Sequence, residues 1–571
     1  MEKFINKTGK KCLMITALLL LILSSCDESI LDEKPLDFLS PDNAYLTELG
    51  ALQGVTALHD RVRTAFYTYG EFGCMNWATH GSDLGYNGET PSAGGVYLNS
   101  YEDMTPIWRN IVDPWVACYQ IVQWANVLID KVESADPAVF EGGEAGRNVY
   151  IAEGKFFRAF AYRYLVSTYG DVPLLKKPVS TAKADFVRDP IADIHDLMVE
   201  DFSYAAQNLP EPGEEAAPGR ITQGPAWHYL AETYLEQGEP QLAVEAATHV
   251  IEDYNYALMT QRFGNRLAKD IFGSGDVYYD LFGYSNHNLA NNTEAMWVIQ
   301  CEPTITGGGQ IASAYIYGPR YFDIGLTPDG KKAIRGVMYN GVYTGYSDTL
   351  SRPTANCRGT SFVYYNIWRS DWNNDIRNAK HNIKRNFYYD NPESIYHGKK
   401  IDFSLYNPPR PNPILDTCKI LFPIHLKFHD PCNYFLQPNR AGSGITHKDW
   451  YALRFAETLL LRAEAYLGIN RPDLAAADVN VVRSRANANP VSAANCDIDY
   501  ILDERARELY GEEWRLLILR RTGKLLERVL KYNDNPTCPG AFIKPHNIRW
   551  CIPQTQIDLN VDADFPQNPG Y

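Results

Sequence analysis

From residue 152 the chain reads AEGKFFRAFAYRYLVSTYGDVPLL, and its bulky positions fall into two adjacent i, i+4 rows: Phe156, Phe160, Tyr164 and Phe157, Ala161, Leu165. That spacing predicts an amphipathic helix. Gly170 supplies the positive φ that often closes a helix and Pro173 prevents continuation, so the stop is specified twice. Further helices are predicted over 43–69, 111–132, 191–208 and 499–530. A repeat adds to this picture. Ala231-Glu-Thr-Tyr-Leu-Glu-Gln-Gly-Glu-Pro-Gln-Leu-Ala243 returns as Ala463-Glu-Ala-Tyr-Leu-Gly-Ile-Asn-Arg-Pro-Asp-Leu-Ala475, and both copies read as helix, turn, helix. Small Ala231 and Ala463 let helices approach closely, while Pro240 and Pro472 suit a turn or a first helical position. Between about 259 and 449 the helical period fades into Gly, Asn, Tyr and Pro, with eight prolines between Asn391 and Asn439. Loops and short strands are expected there, the clearest strand being Glu294–Gln300.

Each helix pair leaves an apolar face that only a neighbouring pair covers, so more pairs are expected than the two that align. The repeat resembles the tetratricopeptide pattern. The fold class is therefore mainly α: tetratricopeptide-like pairs form a scaffold over about 43–258 and 450–532, a loop-rich insertion occupies about 259–449, and a tail covers 533–571.

Composition fits a globular protein, with 45% apolar and 22% charged residues among 571. A formal charge of -15 argues against a nucleic-acid partner or an anionic membrane surface. At the N-terminus, Lys3, Lys7, Lys10 and Lys11 precede an apolar run over Leu13–Leu23 that is too short to span a bilayer, which needs about 20 residues. Residues 1–25 read as a signal peptide. Leu23-Ser24-Ser25-Cys26 resembles the bacterial lipoprotein lipobox, which makes Cys26 the acylated mature N-terminus, anchored by about 0.8 kcal/mol per buried CH₂. Asp27 and Glu28 look like the surface-export signal of such lipoproteins. Removing Cys12 and Cys26 from 11 cysteines leaves an odd number, so at least one stays unpaired. Cys418 with Cys432 and Cys538 with Cys551 are close enough in sequence to close short loops, but spacing fixes no pairing.

The lipobox, LDEKPLDFLSPDNAY (31–45), the 152–175 helix, GRITQGPAWHYLAETYL (219–235), RFAETLLLRAEAYL (454–467) and the closing QNPGY (567–571) together resemble the SusD/RagB family of outer-membrane nutrient-uptake lipoproteins. The resemblance spans nearly the whole mature chain, 26–571, and implies one SusD-like domain. It also implies a lid over a SusC-like TonB-dependent transporter that captures glycans or other nutrients without chemistry. One departure stands out. The family's E-G-x-R-x-x-D-L-x-R helix carries an acid where this chain has Ile518, which removes an expected buried salt bridge.

A sugar site needs aromatic faces to stack on pyranose rings and amide, carboxylate or guanidinium groups to meet hydroxyls. Trp77-Ala-Thr-His-Gly-Ser-Asp-Leu-Gly-Tyr-Asn87 offers Trp77 and Tyr86 as platforms and Asp83 and Asn87 as hydroxyl partners on a Gly-rich, exposed turn; the alternative is that Trp77 is simply core. In the insertion, Asp371 and Trp372 form a second candidate, while Tyr278, Tyr279 and Trp368 read as either binding or buried aromatics. Gly307–Gly309 lacks the strand and helix of a phosphate cradle and reads as a flexible loop. No cofactor motif appears. A glycoside hydrolase, a peptide-binding subunit and a sugar-free adaptor remain alternatives, the first requiring two carboxyls about 5–9.5 Å apart. Asp562 and Asp564 are a weak calcium pair without EF-hand spacing.

Overall fold

The computed structural model describes residues 44–68 (except 46), 79–92, 98–267, 275–406 (except 303, 340 and 348), 416–429 and 446–571. The acylation candidate Cys26, the platform candidate Trp77 and Cys432 lie outside them.

Among the described residues six long helices precede the insertion: α1 (Glu48–Phe66), α2 (Arg109–Ser134), α3 (Glu144–Tyr169), α4 (Ile191–Asn208), α5 (Gln223–Gln237) and α6 (Pro240–Glu252). Six follow it among the described residues: α7 (Phe455–Gly468), α8 (Pro472–Arg485), α9 (Ile498–Leu509), α10 (Arg515–Arg521), α11 (Leu525–Tyr532) and the short α12 (Gln554–Leu559). From α2 to α8 each helix packs on the next, so α6 meets α7 directly although about two hundred residues separate them in sequence. The stack is continuous across the insertion. Pro240 and Pro472 both open their helices at the first position. The repeat has a charged counterpart as well: Glu232 and Glu464, equivalent in the two copies, both clamp Arg521 of α10.

The α3 helix differs from its expected amphipathic form. Every residue from Tyr150 to Tyr169 is buried, charged ones included. A helix covered on all sides is the centre of a bundle. Its charges are tolerated because partners on neighbouring helices and on the loop before α5 neutralise them: Arg158 Nε donates to Asp201 at 2.8 Å, Arg163 Nε to Glu232 at 2.7 Å, and Glu153 accepts from Arg220 at 2.8 Å. Phe156 and Phe160 meet Trp297 edge-on, at 5.6 and 5.2 Å between ring centroids, tying the insertion's first strand to the helical core.

The expected helix over 499–530 is broken into α9, α10 and α11. Gly511 (φ 74°) and Gly523 (φ 68°) adopt left-handed backbone at the breaks. A Cβ on Gly511 would lie 2.4 Å from the Phe428 ring, so the insertion's chain packs tightly against this turn. Gly511→Ala is expected to lower stability by about 2 kcal/mol or more, from backbone strain plus the clash, read as a fall in the melting temperature.

The insertion is irregular, with short antiparallel pairs: β1 (Gly85–Tyr86) with β5 (Arg358–Gly359), β2 (Ala295–Ile299) with β8 (Trp450–Arg454), β3 (Met338–Tyr339) with β4 (Val342–Tyr343), and β6 (Ile383–Lys384) with β7 (Ile424–His425). Strand β8 runs straight into α7, and its register sets Ala295 opposite Arg454. A buried charge network is built at that junction. Arg454 pairs with Glu508 (2.9 Å), Glu512 (2.6 Å) and Glu294 (2.5 Å), while Arg377 pairs with Glu508 (2.9 Å) and Glu504 (2.8 Å). Glu294 and Arg377 come from the insertion, the others from the scaffold's edge. The network fastens one to the other.

Gly307–Gly309 is an anchor rather than a free loop: Arg63 of α1 donates to the carbonyls of Gly307 (2.6 Å) and Gly308 (3.3 Å). Cys538 and Cys551 are both buried free thiols, so the bridge contemplated between them is absent.

Candidate functional site

The segment around Asp83 folds inward. Ser82 donates to the Thr79 carbonyl (2.5 Å), Gly81 takes positive φ (66°), and β1 pairs with β5 beneath this turn. Asp83, Tyr86 and Asn87 are consequently buried, at 0%, 1% and 0% exposure. Asp83 Oδ1 accepts from Arg515 Nε (2.9 Å), and Oδ2 accepts from Arg515 Nη2 and Arg528 Nε (both 2.8 Å). Both oxygens are thus committed within the protein. Arg515, on the helix where Ile518 replaces the family's acid, finds its carboxylate here, and Ile518 packs into the core. The Tyr86 hydroxyl accepts from Arg358 Nη1 (2.5 Å), and Asn87 Oδ1 accepts from the Thr90 amide (2.9 Å). Asp83 ties this turn to α10 and α11, Tyr86 ties it to the insertion and Asn87 closes the turn on itself, all three facing away from solvent.

Burial would raise the Asp83 pKa, but Arg515 and Arg528 outweigh it and hold the carboxyl at about 2. Its folded value lies below the usual 3.8, so Asp83 contributes stability that is complete above about pH 4 and is lost as pH falls through 2. A loss of about 2 kcal/mol is expected across that window. Denaturant titrations of wild type and Asp83→Asn at pH 2, 3, 4 and 6 check it: the wild-type curve should fall more steeply.

Trp372 is placed differently. A helical turn at Ser361–Tyr364 runs into a 3-10 turn at Asn366–Trp368; Trp368 is buried with its indole N–H donating to the Val363 carbonyl (2.9 Å). Asp371 is buried beneath, accepting from Arg483 Nη2 (2.8 Å), the Asn489 amide (2.8 Å) and the Ser370 hydroxyl (2.7 Å). Held this way, it points the next residue outward. Trp372 is 43% exposed and Tyr365 42%, their rings inclined by 11° with centroids 6.4 Å apart. The Arg385 guanidinium lies over both, 4.6 Å from the Trp372 centroid and 5.7 Å from that of Tyr365. Its Nη2 is fixed by the Tyr364 carbonyl (2.8 Å) and Asn378 Oδ1 (2.5 Å), whereas its buried Nε has no hydrogen-bond partner among the described residues. Burial lowers its pKa to about 10, which leaves it charged at neutral pH.

Two exposed, near-parallel aromatic rings with a guanidinium cation over them make a surface of the kind that stacks on a sugar ring. Tyr365 and Arg385 were not singled out from sequence. The paired Tyr364-Tyr365 ahead of WRSDW was a signal for the first, whereas Arg385 reaches the face only through the fold. Tyr278 and Tyr279 are buried, the Tyr278 hydroxyl donating to the Glu508 carbonyl (2.9 Å). Among the described residues no group of three or more His, Cys, Asp or Glu is arranged to hold a metal ion.

Helix pairs stacked edge to edge beneath an irregular face define a SusD-like helical-repeat fold. Residues 422–571 match the SusD family model, and residues 91–235 match a model described as starch-binding associating with outer membrane. SusD-like protein P25 of Formosa agariphila is 23% identical over 580 aligned residues, covering 96% of this chain and 97% of its own length. A SusD-like protein of Bacteroides ovatus is 27% identical over 305 residues, about half of each chain. A laminarin binding SusD-like protein shares the fold at a TM-score of 0.65 and 20% identity, covering 92% of this chain and all of its own. Surface glycan-binding protein A from Bacteroides thetaiotaomicron, in complex with laminarihexaose, does so at 0.64 and 19%, covering 91% and 99%. The chain belongs to the SusD/RagB family.

Proposed function

We propose that this chain is a lipid-anchored glycan-binding protein of the outer membrane that captures oligosaccharides or polysaccharides and delivers them to a SusC-like TonB-dependent transporter. The observation that carries the reading is the exposed Tyr365–Trp372 pair with Arg385 across it. Stacking and hydroxyl hydrogen bonds supply the affinity, and no bond is made or broken. Relatives whose names specify laminarin, laminarihexaose and starch support a glycan over a peptide. The lipobox cysteine supports the anchor. No helix among the described residues is long and apolar enough to cross a membrane, so a tether through Cys26 is the simplest attachment. Delivery requires a protein interface of at least about 1,000 Å² that opens and closes over the transporter.

Calorimetry of the form lacking residues 1–26 against β-glucans, α-glucans and a peptide panel, with chromatography of the mixture afterwards, tests the proposal. Heat should appear with at least one glycan and the glycan should return uncleaved. Binding confined to peptides, or shortened oligosaccharides, would refute it.

A further inference from the structure

Helix α2 carries two adjacent i, i+4 rows: Trp115, Tyr119 and Gln123 form one, and Val116, Gln120 and Trp124 the next. The first row turns toward the protein and the second away, since Trp115 is 2% exposed but Val116 37% and Trp124 42%. An outward row on a helix is ordinarily polar. Here both rows line a cleft of about 400 Å³, walled on its other sides by the 173–186 loop, α12 and the tail after it. Neither Tyr365 nor Trp372 lines it. The walls are pinned in place. Gln123 Nε2 donates to the Val179 carbonyl (3.1 Å) while its Oε1 accepts from the Val179 amide (2.9 Å). Asn560 holds Phe186 in the same way, Oδ1 accepting from the amide (2.7 Å) and Nδ2 donating to the carbonyl (2.8 Å). The Tyr119 hydroxyl donates to the Pro173 carbonyl (2.9 Å) where the loop begins. The loop is thus fixed to α2 at one end and to the tail at the other, and the space between stays open. Preformed, mostly apolar clefts of about 300–1,000 Å³ are the usual form of a small-molecule site.

The lining defines the ligand class. Among the described residues no charged side chain lines the cleft, although 22% of the chain is charged. An ion would lose hydration there without meeting a countercharge. Gln123 and Asn560 are spent on the walls. Gln120, exposed, and Gln556, half-buried, also line the cleft, and neither side-chain amide has a hydrogen-bond partner among the described residues. Each therefore keeps its donors and its acceptor for a ligand. The remaining lining is aromatic or aliphatic. A pyranose would press several hydroxyls against these walls, and a hydroxyl desolvated without a partner is costly. A flat ring of low polarity avoids that cost. Its faces can lie against Trp124 and Phe186 while one or two polar groups on its edge meet the two free amides.

We propose that this cleft is a second ligand site, which takes an uncharged ring compound of low polarity on Trp124 and binds its hydroxyl or carbonyl groups through Gln120 and Gln556. It does not depend on the Tyr365–Trp372 reading, and the test keeps the two apart.

The form lacking residues 1–26, which keeps every described residue and needs no detergent, is prepared with ¹⁵N-labelled indoles. It is titrated at neutral pH with β-naphthol, p-phenylphenol and coumarin, and with β-naphthoate and cellobiose as charged and polyhydroxylated counterparts. The Trp124 indole resonance, identified by its absence from Trp124→Phe, should shift saturably with at least one of the uncharged ring compounds. Gln120→Ala combined with Gln556→Ala should weaken that binding at least about tenfold, as the loss of two hydrogen bonds implies. Val116→Trp fills the cleft from an exposed position and should abolish the shift. All three positions reach solvent, so both variants should melt as wild type does. Trp372→Ala should bind these compounds unchanged. No saturable shift with any uncharged ring compound, tighter binding of β-naphthoate or cellobiose, undiminished affinity in the double glutamine variant, a shift that survives Val116→Trp, or its loss in Trp372→Ala would each overturn the proposal.

Discussion

Glu508→Ala is expected to destabilise the fold by about 3–5 kcal/mol or more, enough to leave a marginal protein largely unfolded. The side chain is fully buried and accepts from three arginines: Arg454 (2.9 Å), Arg377 (2.9 Å) and Arg485. Burial alone would raise its pKa, but Arg485, Arg454 and Arg377 together hold it well below the carboxylate range. Removing the carboxylate leaves three guanidinium groups facing one another without water, and the loss exceeds that of an exposed pair, which is about 0–1 kcal/mol. Glu294 and Glu512 compensate only in part, since they already serve Arg485 and Arg454. Glu508→Gln, which keeps an acceptor but not the charge, should fall between. Urea unfolding midpoints check both, and a loss under about 1 kcal/mol for Glu508→Ala would mean that water enters and screens the cluster. Because Arg377 and Glu294 belong to the insertion, the damage should include detachment of that layer from the helices, seen as proteolysis within 275–406 before the helical scaffold is cut.

This network also explains what was legible beforehand. Helical period is local, so α4 appears over the residues expected, and α3 closes where expected, at Gly170. The repeat predicted stacking pairs because matching Ala, Tyr and Pro positions encode a close approach within tens of residues. Burial of charge was not legible. Arg158 and Arg163 look like the polar side of a surface helix until Asp201 and Glu232 are folded against them. The same holds for Asp83: a Gly-rich, polar stretch suggests an exposed loop, yet its partners lie 432 and 445 residues downstream. Trp372 was visible as an aromatic beside an acid. What could not be read was the division of labour, in which Asp371 turns inward to Arg483 while Trp372 faces out.

That division sets the second large expectation: Trp372→Ala should weaken glycan binding about 30-fold, the effect of losing roughly 2 kcal/mol at an aromatic contact of hot-spot type. The ring is 43% exposed and packs chiefly on Tyr365 and Arg385, so its removal should leave the melting temperature nearly unchanged. Affinity and stability therefore separate, which a collapse of the fold would not allow. Tyr365→Ala should cost less, because the guanidinium sits closer to Trp372 than to Tyr365, at 4.6 against 5.7 Å. Arg385→Lys keeps the charge but loses the planar guanidinium that stacks on Trp372, so it should weaken binding without abolishing it. Asp371→Asn separates positioning from contact. Its carboxylate meets Arg483 and the Asn489 amide rather than solvent, so it should lower both stability and affinity, unlike Trp372→Ala. Calorimetry against the best glycan of the panel, with melting curves on the same samples, decides among these. A folded Trp372→Ala protein that binds as tightly as wild type would remove the Tyr365–Trp372 face from recognition altogether.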